Sequence, residues 1–213
     1  MFIDQEHDVA VVSFDVDGTL IPKSFADDFW LKLIPEMYSE RSGLGRKKAE
    51  EELLEEYDEM GRDDIRWYQP EYWFDKYGFE EEPRKVLEIY RKDYQLYDDA
   101  VEVVEELSSE YELIVISNGI KMFIEVGLGE LKAHFSRLYS SVSDFEMSSK
   151  TPAVYRKVCE DIGVEPKSVV HIGDDLENDK IPAEEAGMRS YLLDREGRYD
   201  DGINDLKELL DFL

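Results

Sequence analysis

The sequence predicts an α/β protein: a Rossmann-like, doubly wound parallel sheet interrupted by an α-helical insertion. Three observations predict it. Short, almost wholly apolar runs at Val9 to Asp15 (VAVVSFD), Glu112 to Ser117 (ELIVIS) and Lys167 to Gly173 (KSVVHIG) have the character of strands buried on both faces, and each leads into an Asp- or Gly-containing loop. Helical periodicity fills the stretches between the later runs, and strands alternating with helices imply parallel pairing. The stretch from Ile21 to Leu96 breaks that rhythm and holds no convincing strand.

Each element has its own signal. Weaker strands are expected near Arg137 to Ser141 and Arg189 to Leu192. Val101, Val104 and Leu107 share a helical face before the second strand, and Val154, Val158 and Ile162 share one before the fourth. Within the insertion, Ser24 is placed to cap a helix carrying Phe25, Phe29, Leu33 and Met37. Ala49, Leu53, Tyr57 and Met60 define a second apolar face; Val86, Ile89 and Tyr90 define a third, after Pro83. Trp30, Trp67 and Trp73, all the tryptophans of the chain, fall here. The expected division is an α/β core of residues 1–20 and 97–213 and a helical domain of residues 21–96.

Composition limits the functional classes. With 213 residues and 42% hydrophobic side chains, one substantial core is feasible. No run approaches the roughly 18 uncharged apolar residues of a membrane span. The opening MFIDQEHD is acidic and lacks a signal-peptide pattern, so a soluble, cytoplasmic protein is expected. A single cysteine, Cys159, excludes an internal disulfide framework and reads as a small core residue. Acids outnumber bases 52 to 25, for a net charge of −27. Such a surface repels nucleic acid and anionic lipid, so neither is an expected partner. Oligomeric state is open.

In open α/β sheets, ligands bind beyond the carboxyl ends of the strands. The first strand leads into Asp15-Val16-Asp17-Gly18-Thr19 and the second into Ser117-Asn118-Gly119. Lys150-Thr151-Pro152 follows the third, and Gly173-Asp174-Asp175, with Asn178-Asp179, follows the fourth. This set suits phosphoryl transfer. A carboxylate can attack phosphorus. A second acid two residues on can protonate the leaving oxygen and then activate water. Crowded carboxylates and a phosphoryl group repel one another unless a cation intervenes, and magnesium prefers such hard oxygen donors, with Asp15 and Asp174 its natural partners. A lysine and oriented N–H and O–H donors hold the remaining phosphoryl oxygens. Threonine occurs only at 19 and 151, so Asp-x-Asp-Gly-Thr is a specific signal, whereas Ser-Asn-Gly, Lys150 and Gly-Asp-Asp are individually commonplace.

These four motifs, in this order, resemble the haloacid dehalogenase-like hydrolase superfamily, over essentially the whole chain through Ala186-Gly187-Met188. The resemblance implies Asp15 as nucleophile and metal ligand, and Asp17 as general acid/base with its backbone carbonyl on the metal. It implies Asp174 as side-chain ligand, Asp179 supporting it or the metal waters, and Asp175 as a further possible ligand. Ser117, Asn118 and Gly119 fall in its phosphate-binding motif, and Lys150 is implied as charge stabiliser and phosphate contact. Pro182 stands where relatives often carry glycine. The insertion resembles the family's first kind of helical cap. The implied activity is a Mg²⁺-dependent phosphatase acting on a small phosphorylated metabolite through an aspartyl-phosphate. Phosphomutase or phosphotransferase activity, dehalogenation and a catalytically idle binding module are the alternatives; dehalogenating relatives lack an aspartate at the place of Asp17.

Overall fold

The computed structural model describes residues 9–213; the acidic opening lies outside them. Five parallel strands form one sheet in the order β3-β2-β1-β4-β5: β1 Val11–Phe14, β2 Glu112–Ser117, β3 Arg137–Ser140, β4 Val169–Gly173 and β5 Arg189–Leu192. Every strand expected from the sequence is present. The apolar runs form the central strands because side chains there are covered on both faces. Val12, Phe14, Leu113 and Val115 point into one hydrophobic cluster, while Val11, Ile114, Ile116 and Val169 point into another. The helices Asp98–Leu107 and Lys121–Leu128 close the first face, and Pro152–Ile162 and Ile181–Ala186 close the second. Fully burying one such Ile or Phe contributes about 1.5–3 kcal/mol. Cys159 is buried in the second cluster, and burial pushes its thiol up to about 11.

The segment between β1 and β2 is helical in every described element from Ser24 to Asp93. Its side chains Phe25, Phe29, Trp73 and Leu87 join the same cluster as Val12 and Phe14. The Tyr97 N–H donates to the Leu20 carbonyl at 3.0 Å, tying the two ends of the segment together.

Local details differ from the expected ones. Ser24 is not the cap, because the helix is entered one residue earlier: Ser24 is its first residue, Lys23 takes the cap position without a side-chain bond, and the Phe25 N–H bonds the Pro22 carbonyl at 2.9 Å. The buried apolar side chains of this helical run include Phe25, Phe29, Trp30 and Ile34, while Leu33 and Met37 are half-buried and pack against the edge of the same cluster. A four-residue step overshoots an α-helical turn by about 40°, so a strict four-residue row walks off the buried face. Phe29–Leu33 itself is π-helical. In Pro83–Tyr90, Leu87 is the buried residue and Ile89 is 67% exposed. The helix Pro70–Tyr77, which buries Trp73 and Phe74, and the 3₁₀ turn Ile65–Tyr68 carry no signal that the periodicity revealed. No described helix is long and apolar enough to cross a membrane.

Candidate active site

The carboxyl rim of the sheet gathers the motif residues. Asp15 follows the last residue of β1, Ser117 ends β2, and Asp174 follows β4. Lys150 arrives from the loop beyond β3, just before the helix Pro152–Ile162, whose first turn carries Pro152. Asp15, Asp17, Ser117, Asn118, Lys150, Asp174, Asp175 and Asp179 all line one cavity of about 260 Å³. Asp15, Asp174 and Asp179 each present a carboxylate oxygen such that the three lie within 4.8 Å of one another. Hard oxygen donors at this spacing fit a divalent cation of the magnesium type.

Electrostatics set the state of each group. The Lys150 ammonium, fully enclosed, contacts carboxylate oxygens of both Asp15 and Asp179 and donates to the Ile116 carbonyl at 3.3 Å. Burial alone would lower its pKa, but the two carboxylates hold it above the ordinary lysine value, so it stays charged. Burial works against ionised Asp179 too, yet Lys150 and His171 hold its carboxyl well below the usual range. Asp15 is pushed well above that range, first by burial and then by Asp179, Asp174 and Asp17, which Lys150 only partly offsets. Two ammoniums, Lys150 and, paired with Asp174, Lys23, do not balance the four carboxylates of Asp15, Asp17, Asp174 and Asp179. That surplus of negative charge is the electrostatic signature of a cation site. Burial raises Asp17 to about 7, a value suited to giving up a proton and taking it back near neutrality.

Two glycines make room for these acids. Gly18 has φ +86°, and a Cβ there would sit 2.4 Å from Asp174 Oδ2. Gly173 approaches Asp179 so closely that a Cβ would lie 2.1 Å from its Cγ. Gly18 therefore provides the expected turn and also the space that lets β1 and β4 deliver their carboxylates side by side.

The family description "haloacid dehalogenase-like hydrolase" matches residues 9–187, most of the chain. The chain belongs to this family. It is an enzyme, a hydrolase with the parallel sheet and rim-borne acids that the fold supplies. It is 28% identical to the GMP/IMP nucleotidase YrfG of Escherichia coli over 195 residues, covering 87% of this chain and 82% of that protein. It is 26% identical to the glyceraldehyde 3-phosphate phosphatase of Methanopyrus kandleri, covering 95% and 96% respectively. A crystal structure of a HAD phosphatase from Thermococcus onnurineus superposes with TM-score 0.80 at 25% identity, covering 96% of this chain and 97% of that one.

The remaining motif residues of the hydrolase take distinct places. Ser117 Oγ accepts from the Gly119 N–H at 3.1 Å, which leaves the hydroxyl hydrogen free to donate. A Cβ on Gly119 would lie 3.5 Å from both Asp17 Oδ2 and Ser117 Oγ, so this loop and the Asp17 carboxylate converge. Asn118 is oriented by Ser141, whose hydroxyl donates to its carbonyl oxygen at 3.1 Å, and by Asn178, which accepts from its amide at 3.3 Å. Asp175 accepts at Oδ1 from the Glu177 and Asn178 N–H groups at 2.9 and 3.0 Å. It caps that turn and stands outside the three-carboxylate cluster. Pro182 sits in the first turn of Ile181–Ala186, where a missing N–H costs nothing.

Several contributors escaped the motif reading. Ser13 and His171 are register partners on β1 and β4, with Ser13 Oγ 2.8 Å from His171 Nδ1. His171 Nε2 lies 3.1 Å from Asp179 Oδ1 and 3.0 Å from the Tyr155 hydroxyl. Burial keeps this imidazole neutral, so the Ser13 hydroxyl donates to Nδ1 and the Nε2–H is donated towards Asp179. Lys23 pairs with Asp174 at 2.7 Å from the start of the helical segment. The signal for Ser13 and His171 was their polarity inside otherwise apolar central strands; no comparable signal marks Lys23.

Proposed function

We propose that this hydrolase cleaves phosphate monoesters of small molecules, with Asp15 as nucleophile. The observation that carries the reading is the convergence of Asp15, Lys150 and the pair Asp174 and Asp179, from three separate chain segments, on one rim cavity. Relatives named for phosphomonoesterase activity, a GMP/IMP nucleotidase and a glyceraldehyde 3-phosphate phosphatase, support it.

In this reading the Asp15 carboxylate attacks phosphorus while the bond to the leaving oxygen breaks. Asp17, protonated, gives its proton to that oxygen, so the alcohol departs neutral. Asp17, now a carboxylate, takes a proton from a water molecule as that water attacks the phosphorus of the aspartyl-phosphate. The bond to Asp15 breaks, inorganic phosphate leaves, and both acids return to their starting states. Lys150 holds the attacking carboxylate in place and offsets charge beside it. Ser117, Asn118 and Gly119 supply donors for the phosphoryl oxygens. Asp15, Asp174 and Asp179, with the Asp17 carbonyl, are the groups that would hold Mg²⁺; the bound cation supplies the positive charge that offsets the clustered carboxylates and the phosphoryl group. His171, Tyr155 and Ser13 hold Asp179 in one orientation.

The helical residues 21–96 act as a cap over this rim. Support comes from Ala26, Asp27 and Arg62, which contribute to the wall of the cavity, and from the Leu20–Tyr97 hydrogen bond at the root of the insertion. A cytoplasmic setting agrees with the lone, buried thiol. The test is phosphate release from p-nitrophenyl phosphate. Release is expected with Mg²⁺ and is expected to stop with chelator and in Asp15→Asn. Metal-independent release, or none across a broad ester panel, contradicts the reading.

A further inference from the structure

A second cavity, of about 190 Å³, opens beside the first and shares Asp17, Ala26, Asp27, Arg62 and Asn118 with it. Its other walls are Trp30, Trp67, Tyr68, Gly119, Ile120 and Phe123, so aromatic rings face the polar groups it shares with the first cavity. Trp30 stacks on Phe123 with 11° between ring planes and touches Trp67 at 6.0 Å, and Tyr68 meets Trp67 at 4.9 Å. A pocket of about 150 Å³ with apolar walls accommodates one benzene-sized ring. This one has room for a slightly larger flat group and none for a polymer.

Two charged groups stand free on its rim. The Arg62 guanidinium lies 5.3 Å over the Trp67 ring, and among the described residues no carboxylate comes within ion-pair distance of it. In a chain of net charge −27, an arginine that has no carboxylate partner among the described residues, beside the reaction site, is informative. The Asp27 carboxylate likewise makes no hydrogen bond or ion pair among the described residues. Aromatic faces flanked by one free donor and one free acceptor suit a heteroaromatic ring that carries both kinds of edge group. A nucleobase meets that description: arginine donates to adjacent ring acceptors, and the ring N–H groups need an acceptor. A small polyol or carboxylate leaving group would leave most of this aromatic surface unused.

We infer that this cavity is the leaving-group subsite, and that the substrates of the proposed phosphatase are nucleoside monophosphates. The phosphate sits against Asp15 and the base lies along Trp67 and Tyr68, with Arg62 and Asp27 at its edge. This rests on the phosphatase reading for the chemistry, but not for the binding of the base.

The test measures kcat/KM with Mg²⁺ for guanosine and cytidine 5′-monophosphates against glycerol 3-phosphate and phosphoglycolate. It is paired with calorimetric binding of guanosine alone. The wild type is expected to favour the nucleotides at least 10-fold. The ratio of nucleotide to polyol kcat/KM should fall roughly 10-fold in Trp67→Ala, the scale of losing one base-stacking platform. Arg62→Gln, at an exposed position that does not threaten the fold, should lower the same ratio several-fold. Preference for the small esters, or a ratio unmoved in both variants, overturns the inference while leaving the phosphatase standing. If no ester is cleaved but guanosine binds the wild type and binds Trp67→Ala at least 10-fold more weakly, the subsite stands and the phosphatase reading falls. Absence of both cleavage and guanosine binding overturns it.

Discussion

The Lys150 ammonium touches the Asp15 carboxylate although 135 positions separate them in the chain. Neither residue is stable in its place alone. A carboxylate taken out of water this completely needs a partner, and so does an ammonium. β1 delivers one and the loop beyond β3 the other, so the pair exists only when the sheet has assembled in the order observed.

Removing the cation exposes that dependence. Lys150→Met should cost about 3–5 kcal/mol in urea unfolding, because Asp15 and Asp179 are left buried without their counter-charge. Millimolar Mg²⁺ should then raise the unfolding midpoint of the variant more than that of the wild type, since ligand binding to the folded state shifts the balance towards it. A variant as stable as wild type, with no response to Mg²⁺, would show that the pair does not matter to the site.

Gly18 tests the spacing of the acids. Gly18→Ala adds a methyl group where Asp174 Oδ2 is 2.4 Å away and imposes a side chain on a backbone at φ +86°. A strain of about 1–3 kcal/mol is expected. Displacing Asp174 should lower phosphate release by ~10²-fold, the scale of an ångström-sized misplacement. Retention of full activity would mean that Asp174 is not needed where it stands.

His171→Leu keeps the volume of the side chain and removes both ring nitrogens. Ser13 then loses its acceptor and Asp179 one of its donors, for an expected loss of about 1–3 kcal/mol in denaturant unfolding. Mg²⁺ affinity, read by calorimetry, should fall with it, because Asp179 is free to rotate. Unchanged metal affinity would make the Ser13–His171–Asp179 chain purely a packing feature.

How much of this was legible beforehand depended on the kind of signal. Asp15, Asp17, Ser117, Lys150, Asp174 and Asp179 were readable because parallel strands run apolar up to the rim and then change character abruptly. The positions of those breaks told which residues would meet. Trp67 and Arg62 were not, because their roles depend on how short helices pack over the rim, and helical periodicity fixes which side is buried, not what lies opposite. Pro70–Tyr77 escaped for a related reason: its eight residues hold Tyr72, Trp73, Phe74 and Tyr77 on more than one face, so no single stripe stands out. Asp175 was left open in the sequence because a strand-ending acid can serve a metal or its own turn; its Oδ1 accepts from the Glu177 and Asn178 N–H groups.

Away from the cavity, Asp99 and Arg195 form a two-point pair at 2.8 and 3.1 Å. Arg195 also reaches the Thr19 carbonyl at 3.0 Å, and Asp99 accepts from the Leu206 N–H at 2.9 Å. Burial would raise the Asp99 pKa, but the Arg195 and Leu206 hydrogen bonds outweigh it and hold the carboxyl below its ordinary value. A depressed folded pKa makes the folded form the weaker proton binder. Its stabilisation is therefore complete above the unfolded value of about 3.9 and fades as pH falls through the lower folded value. Asp99→Asn should cost about 2 kcal/mol at neutral pH and flatten the acid limb of the stability–pH curve, measured by denaturant titration from pH 7 to pH 3. A variant that loses stability equally at every pH would contradict this assignment.

The most direct measurement is chemical trapping of the phosphorylated enzyme. Protein turning over a phosphate ester with Mg²⁺ is quenched and reduced with borohydride, which converts an aspartyl-phosphate to homoserine, and peptides are then sequenced by mass spectrometry. Homoserine at position 15, absent without substrate and absent in Asp15→Asn, is the predicted result. Phosphate release with an unmodified Asp15, or modification at Asp17, Asp174 or Asp179 instead, would contradict Asp15 as the nucleophile.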